Sequence, residues 1–150
     1  MKNVISKKAF YTLNLTWGII MTAIGALVAV ALLVTKHKPH VHCGCVYFEV
    51  GKPGWGGMEL GLFFLCSPTA SMHTKKHEVG HAVQNCKWGP AMPFVICLPS
   101  AIRWWYRKLK YTDKGLTPPT AYDDIWFEGE ASKLGYELYD AWCAPKESDN

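Results

Sequence analysis

The stretch HTKKHEVGHAVQNCKWGP, residues 73–90, contains the motif HEVGH at 77–81 and decides how the rest of the chain is interpreted. Cap-type serines precede it and a Gly-Pro pair follows it, so the pattern predicts a helix that ends at that pair. A helix brings residues four apart to one face, which sets His77 and His81 side by side. Two imidazoles on one rigid helix suit two corners of a tetrahedral zinc site.

Glu78 follows the first of these histidines and is the candidate catalytic base. Its carboxylate would face the open coordination position, take a proton from a zinc-bound water and pass it to a leaving amine. The alternative interpretation is a solvated polar helix, because Lys75, Lys76 and Lys87 surround the motif. If the site exists, those same lysines place it outside the lipid, because a charged helix is costly inside the membrane.

A catalytic zinc site needs a third protein ligand and leaves the fourth position to water. The segment DDIWFEGEASKLG, residues 123–135, offers Glu128 and Glu130 on a predicted helix, of which only one can face the metal. Asp124 or Asp123 would be the carboxylate that holds a zinc histidine by its other ring nitrogen.

HEVGH together with the downstream WFEGEA (126–131) resembles the gluzincin metallopeptidases, in which a glutamate on a following helix completes HExxH. In the aminopeptidase branch that glutamate lies in an Asn-Glu-Gly-Phe-Ala motif, and residues 128–131 match its Glu-Gly-x-Ala part. The resemblance implies a Zn²⁺ peptidase in which Glu128 is the third ligand beside His77 and His81. Over most of its length the chain also resembles a group of small, largely uncharacterised bacterial membrane-anchored proteins.

The chain departs from the gluzincin pattern in two respects. His81 and Glu128 lie 47 positions apart, which is longer than usual, and the aminopeptidase motif that recognises a substrate amine is absent. No motif identifies a group that stabilises the transition state. Tyr122, Tyr136 and Arg103 are therefore candidates by residue type alone.

The uncharged segment 10–35 predicts a transmembrane helix, because about 20 apolar residues cross a bilayer. Its length and the lack of a clear cleavage site favour a retained anchor over a signal peptide. We predict a single-pass anchor over residues 1–36, contact with membrane lipid, and a zincin-like domain over 37–150. Lysines on both sides of the segment leave open which side of the membrane holds the domain.

The remaining chain predicts an α+β fold. CVYFEV (45–50) and GMELGLFFLC (57–66) are β-rich runs joined by a glycine-proline turn, which predicts a β-hairpin before the HExxH helix. The second run is placed to bind a substrate backbone as an edge strand. We predict a linker over residues 36–44 and a core loop or interfacial segment over the proline-broken stretch 91–102.

Composition excludes some classes of protein. Charged residues make up 19% and apolar types 49% of the chain, which argues against disorder. The net charge of +4 is mild, and no nucleic-acid motif accompanies the basic cluster RWWYRKLK (103–110), so we predict no nucleic-acid partner. The six cysteines permit disulfides but do not require them.

The leading interpretation is a membrane-anchored zinc peptidase that hydrolyses a peptide or protein substrate, with its oligomeric state open. The alternative is a non-catalytic, zinc-stabilised membrane scaffold or regulator, which the small size and the missing stabiliser favour. A third idea places a metal-handling site at His40, His42, Cys43 and Cys45.

Overall fold

In the computed structural model, which describes residues 4–145, four short strands and five α-helices form an α+β fold. The helices are α1 (Lys7–Leu15), α2 (Ile19–Val34), α3 (Met72–Trp88), α4 (Leu98–Lys110) and α5 (Trp126–Trp142). The strands are β1 (Pro39–His42), β2 (Cys45–Glu49), β3 (Gly57–Leu60) and β4 (Phe63–Cys66). The α+β class predicted from the sequence is confirmed.

The sheet has the order β1-β2-β4-β3, with β2 and β4 parallel and the two outer pairs antiparallel. The predicted hairpin between 45–50 and 57–66 is therefore wrong. Gly61, at a φ of +70°, divides the second run into β3 and β4, which form their own tight hairpin. The longer connection after β2 then carries the chain to the far side of β4, so that β3 becomes an edge strand.

Two further sequence predictions change in the structure. Part of the predicted linker is β1, which pairs with β2 through a turn where Cys43 and Gly44 both have positive φ. The sulfurs of Cys43 and Cys143 are bonded, so this turn is joined to the end of α5. The stretch 91–102 is helical: a π-helical turn, Pro93–Cys97, leads directly into α4.

The predicted transmembrane helix is broken into α1 and α2, which meet at 83°. Asn85 of α3 holds the bend, since its amide nitrogen donates to Asn14 Oδ1 (2.7 Å) and to the Gly18 carbonyl (3.0 Å). Within residues 4–145 no single helix is long and apolar enough to cross a membrane. The bent pair meets both criteria together, by length and composition.

The N-terminal helices share hydrophobic cores with the rest of the chain. Phe10 of α1 is fully buried in a cluster with Phe64, Val79 and Leu138, drawn from β4, α3 and α5. A second cluster joins Met21 of α2 to residues of β3, α5 and the turns before α4. The boundary predicted at residue 36 thus separates two segments that pack together. Residues 1–3 of the predicted anchor and 146–150 of the predicted domain lie outside the described part.

The predicted HExxH helix is confirmed as α3, which begins after the N-cap Ser71 and ends before Gly89, where φ is +50°. It packs closely against α5, the predicted glutamate helix. A Cβ on Gly80 would lie 1.8 Å from the Ala131 carbonyl oxygen, and one on Gly135 would lie 1.8 Å from the Lys76 oxygen. Glycine at both points lets the two backbones touch, and this contact sets α5 against the histidine face of α3.

We predict that Gly80→Ala destabilises the protein by about 1–3 kcal/mol, because its methyl group would overlap the α5 backbone. Helix propensity alone predicts the opposite sign, a gain of about 1 kcal/mol. The free energy of unfolding, measured by denaturant titration in detergent, decides between them. Lys133→Ala, at an exposed α5 position, is the control and should leave that free energy nearly unchanged. A stabilised Gly80→Ala variant would contradict the close helix contact.

Candidate metal centre

Three buried side chains from α3 and α5 bring one potential metal-binding atom each to a common point. Glu128 Oε2 lies 3.0 Å from His77 Nε2 and 3.1 Å from His81 Nε2, and the two imidazole nitrogens are 3.1 Å apart. In a tetrahedral site with bonds of about 2.0–2.1 Å, neighbouring ligand atoms are about 3.3 Å apart. Among residues 4–145 this is the one cluster of His, Cys, Asp or Glu that could hold an ion in this way.

The outer contacts of His77 determine where its ring carries a proton. Ser132 Oγ donates to Asp123 Oδ2 at 2.5 Å, because a carboxylate can only accept. The hydroxyl has one proton, so it must accept from His77 Nδ1, at 2.8 Å. His77 therefore carries a proton at Nδ1, and in the neutral ring its Nε2 presents a lone pair to the other ligand atoms.

His81 also carries a proton on Nδ1, and a different set of hydrogen bonds fixes it there. The Gln84 amide nitrogen donates to the Phe127 carbonyl (2.8 Å) and to Glu130 Oε2 (2.9 Å), which fixes the amide orientation. Gln84 Oε1 then accepts from His81 Nδ1 at 2.7 Å, since an amide oxygen cannot donate. In the neutral ring the His81 Nε2 therefore carries the lone pair and points to Glu128, whereas in the charged ring the same nitrogen donates to Glu128.

With both rings neutral, three electron-pair donors at about 3 Å from one another repel unless a proton or a metal ion lies between them. Burial alone would lower the pKa of His81, but the hydrogen bond to Glu128 and the charges of Glu78 and Glu128 outweigh it and raise the pKa to about 9. Burial raises the pKa of Glu128, yet the two histidines and Ser100 hold it well below its ordinary value. The site therefore favours positive charge, which without a metal is a proton on His81 beside the ionised Glu128. A metal ion would replace that proton and leave the outer hydrogen bonds of both rings unchanged.

Glu78 lies in the same cavity and is almost fully buried. Its carboxylate packs on β3, where a Cβ on Gly57 would be 2.5 Å from Glu78 Oε1, so glycine is needed to leave it room. Burial raises the pKa of Glu78, and the neighbouring histidines partly oppose the increase. A carboxylate with raised proton affinity beside a metal position can accept and return a proton.

The cavity holding these groups has a volume of about 700 Å³. Edge strand β3 lines one side, and α4 lines another through Ser100, Ala101 and Trp104. Most of the wall is apolar and includes side chains such as Met92 and Ile96. The polar groups therefore converge at one point in an otherwise apolar cleft, which is typical of sites for small molecules or peptide side chains.

Of the three candidates for stabilising a transition state, only Tyr122 lines this cavity. Its hydroxyl is 3.2 Å from Ser100 Oγ, and burial raises its pKa, which keeps the phenol protonated. The Tyr136 hydroxyl is instead hydrogen-bonded to His73 Nδ1, at 3.1 Å. Arg103 donates to the carbonyls of Ala121 and Tyr122, so it holds the backbone beside the site and does not enter it.

The two candidate carboxylates behind the ligands have different positions. Asp123 reaches His77 only through Ser132, whereas the prediction was a direct contact. Asp124 accepts from the Ala121 amide at 3.1 Å and caps the 3₁₀ turn before α5, away from both histidines. A serine is long enough to bridge this gap because α3 and α5 pack so closely.

Four residues at the site were missed by sequence reasoning. They are Ser132 and Gln84 behind the histidines, Ser100 on Glu128 Oε1, and Glu59 on β3. Glu59 lines the cavity with Oε2 unpaired, and burial raises its pKa to about 8. Ser132 and Gln84 had a signal in the sequence, since each lies one helical turn from a ligand. Ser100 and Glu59 had none.

The proposed second metal site is not assembled in the described residues. His40 stacks on Tyr47, His42 stacks on Tyr139, and Cys43 is bonded to Cys143.

No protein-family model, curated protein or solved structure matches the chain.

We predict that the purified chain binds about one divalent ion per molecule and that His81→Ala abolishes this binding, because two ligands cannot hold the ion in competition with water. His73→Ala is the matched control: it removes an exposed histidine one turn before His77 and should retain the metal. Elemental analysis after gel filtration measures both. Equal metal content in the two variants would show that the ion, if any, is bound elsewhere.

Proposed function

We propose that the protein is a membrane-associated, zinc-dependent peptidase. The observation that carries this proposal is the buried His77–His81–Glu128 triangle with the Glu78 carboxylate in the same cavity. Two imidazoles and one carboxylate form a ligand set that suits Zn²⁺ in hydrolytic sites, and three protein ligands leave a position for water. When bound, the ion would lower the pKa of that water and polarise a carbonyl.

Glu78 is assigned the proton transfer. Its buried carboxylate takes the proton of the attacking water and returns it to the nitrogen of the departing amine. The packing of Glu78 on Gly57 holds the carboxylate toward the cavity without a covalent role. Tyr122 is assigned to stabilise the developing oxyanion by a hydrogen bond, because its phenol is protonated, half-buried and within the cavity.

We assign the binding of the substrate backbone to edge strand β3. Within residues 4–145 it pairs only with β4, and Met58 is 53% exposed, so the part of its other edge near Met58 can take an extended peptide as a further strand. A peptide in that position would run past Gly57 and Glu78 and bring one bond to the metal. The apolar cavity wall would receive a large apolar side chain next to that bond.

Association with a membrane is supported by the packing of α2. Apart from Met21, its buried residues are small or polar, namely Thr22, Gly25 and Ala29, while large residues such as Leu27 and Val30 face outward. Small residues at helix contacts and large apolar residues outside are typical of packing in lipid. We therefore retain the N-terminal segment as a membrane anchor in this proposal, bent as in the structure.

We predict that Glu78→Gln lowers the peptide-cleavage rate by about 10²–10⁴-fold while the zinc content stays unchanged. The amide keeps the shape of the side chain but cannot accept the water proton. Cleavage of a quenched fluorescent peptide library and elemental analysis on one sample measure both quantities. Undiminished cleavage would refute this mechanism. If wild type and variant are equally inactive but need zinc to fold, the scaffold alternative is favoured.

We predict that Tyr122→Phe lowers kcat by about 10–10³-fold with little change in KM, because the lost hydroxyl acts on the transition state. Tyr136→Phe is the matched control, since Tyr136 does not line the cavity and its hydroxyl contacts the exposed His73 at the cavity rim, and its kinetics should equal those of the wild type. The reverse pattern, with Tyr136→Phe impaired and Tyr122→Phe normal, would remove Tyr122 from the mechanism.

A further inference from the structure

Helix α4 turns two of its four charged side chains, Arg103 and Arg107, toward the protein. Arg103 donates to the carbonyls of Ala121 and Tyr122, and Arg107 donates to the Thr120 carbonyl at 2.8 Å. Ser100, on the same side, binds Glu128. The polar face of this amphipathic helix is therefore used internally, to hold the loop before α5 and the metal centre.

The opposite face of α4 is apolar and more than half exposed. Leu98, Ile102, Trp105 and Leu109 follow one another at helical spacing, and each is 54–60% exposed. Phe94 extends the same surface before the helix begins. We name these five residues the α4 surface. A continuous exposed apolar surface of this kind marks a contact with a partner or a membrane.

The composition of α4 favours lipid over a protein partner. The helix contains no acidic residue, and its last turns carry the exposed Lys110 and the partly exposed Lys108 beside Trp105 and Tyr106, with Lys108 also paired to Asp113 of the following turn. Tryptophan and tyrosine with nearby cations suit the headgroup region, where anionic lipids attract the cations. With 13 residues the helix is too short to cross the hydrocarbon, so it would lie in the plane of the interface.

A second outward-facing apolar helix supports the same environment. α2 also presents large apolar residues outward, and both helices border the metal cavity, α2 through Met21 and α4 through Trp104 and Trp105. Two such helices around one cavity are costly in water and favourable in a lipid interface.

We propose that the α4 surface is a lipid-binding surface that lies in the membrane interface beside the cavity. This inference does not rest on peptidase activity. Its consequence is spatial: Trp105 belongs to both the surface and the cavity wall, so the cavity mouth lies at the level of the lipid headgroups. A substrate would then reach the site along the membrane and not from bulk solution.

Lipid-phase labelling of the full chain tests the proposal. The protein is reconstituted in vesicles of phosphatidylcholine and phosphatidylglycerol with a carbene-generating probe confined to the hydrocarbon, and labelled peptides are mapped by mass spectrometry. We expect labelling of both α2 and α4 in the wild type. Ile102→Glu with Leu109→Glu should reduce α4 labelling by about tenfold and leave α2 labelling unchanged. Val41→Glu, at an exposed apolar position on the opposite sheet edge, is the control and should change neither.

The outcomes separate lipid from protein contact. Unlabelled α4 in wild-type vesicles where α2 is labelled would overturn the proposal, and this result needs no variant to fold. Unchanged α4 labelling in the double variant would also overturn it. Loss of an oligomer in that variant, seen by light scattering in detergent, would assign the α4 surface to a contact between copies. Retained zinc content in the double variant verifies that the metal centre is intact.

Discussion

The contact between the backbones of α3 and α5 is the constraint on which the rest of the structure depends. Glycine at 80 and 135 removes the two side-chain carbons that would hold the helices apart. Only at this separation can a glutamate on one helix lie 3.0–3.1 Å from two histidine nitrogens on the other. The short bridge through Ser132 depends on the same approach. Gly80 lies inside the HEVGH motif, so that motif supplies the ligands and also the space for their partner.

The second level of organisation is electrostatic. Ser132 and Gln84 fix a proton on the outer nitrogen of each imidazole, so in the neutral rings the inner nitrogens and the Glu128 oxygen meet as three lone pairs. The cluster is buried, which increases their repulsion because little water screens it. A cation at the centre converts the repulsion into attraction. The ion would therefore join α3 and α5 and, through Ser100 on Glu128, also α4.

The sequence predicted the features that depend on short spacings. His77 and His81 share a helix face because they are four apart, and Glu128 stood out because its neighbours match a known local pattern. Strand order, by contrast, depended on competition between two turns, and Gly61 supports a tighter turn than the loop after β2. The bend between α1 and α2 depends on Asn85, some 70 positions away, and no local pattern reveals it. The choice of Tyr122 over Tyr136 likewise depends on where α4 and the loop before α5 meet.

X-ray absorption at the zinc edge of the purified full chain tests the central claim most directly. If His77, His81 and Glu128 hold the ion, the spectrum will show about four nitrogen or oxygen neighbours at about 2.0–2.1 Å, with imidazole scattering from two histidines and no sulfur. The cysteines of the chain are the alternative zinc ligands, and their sulfurs would be visible in the same spectrum. Sulfur neighbours at about 2.3 Å, or a chain that takes up no zinc, would contradict the account.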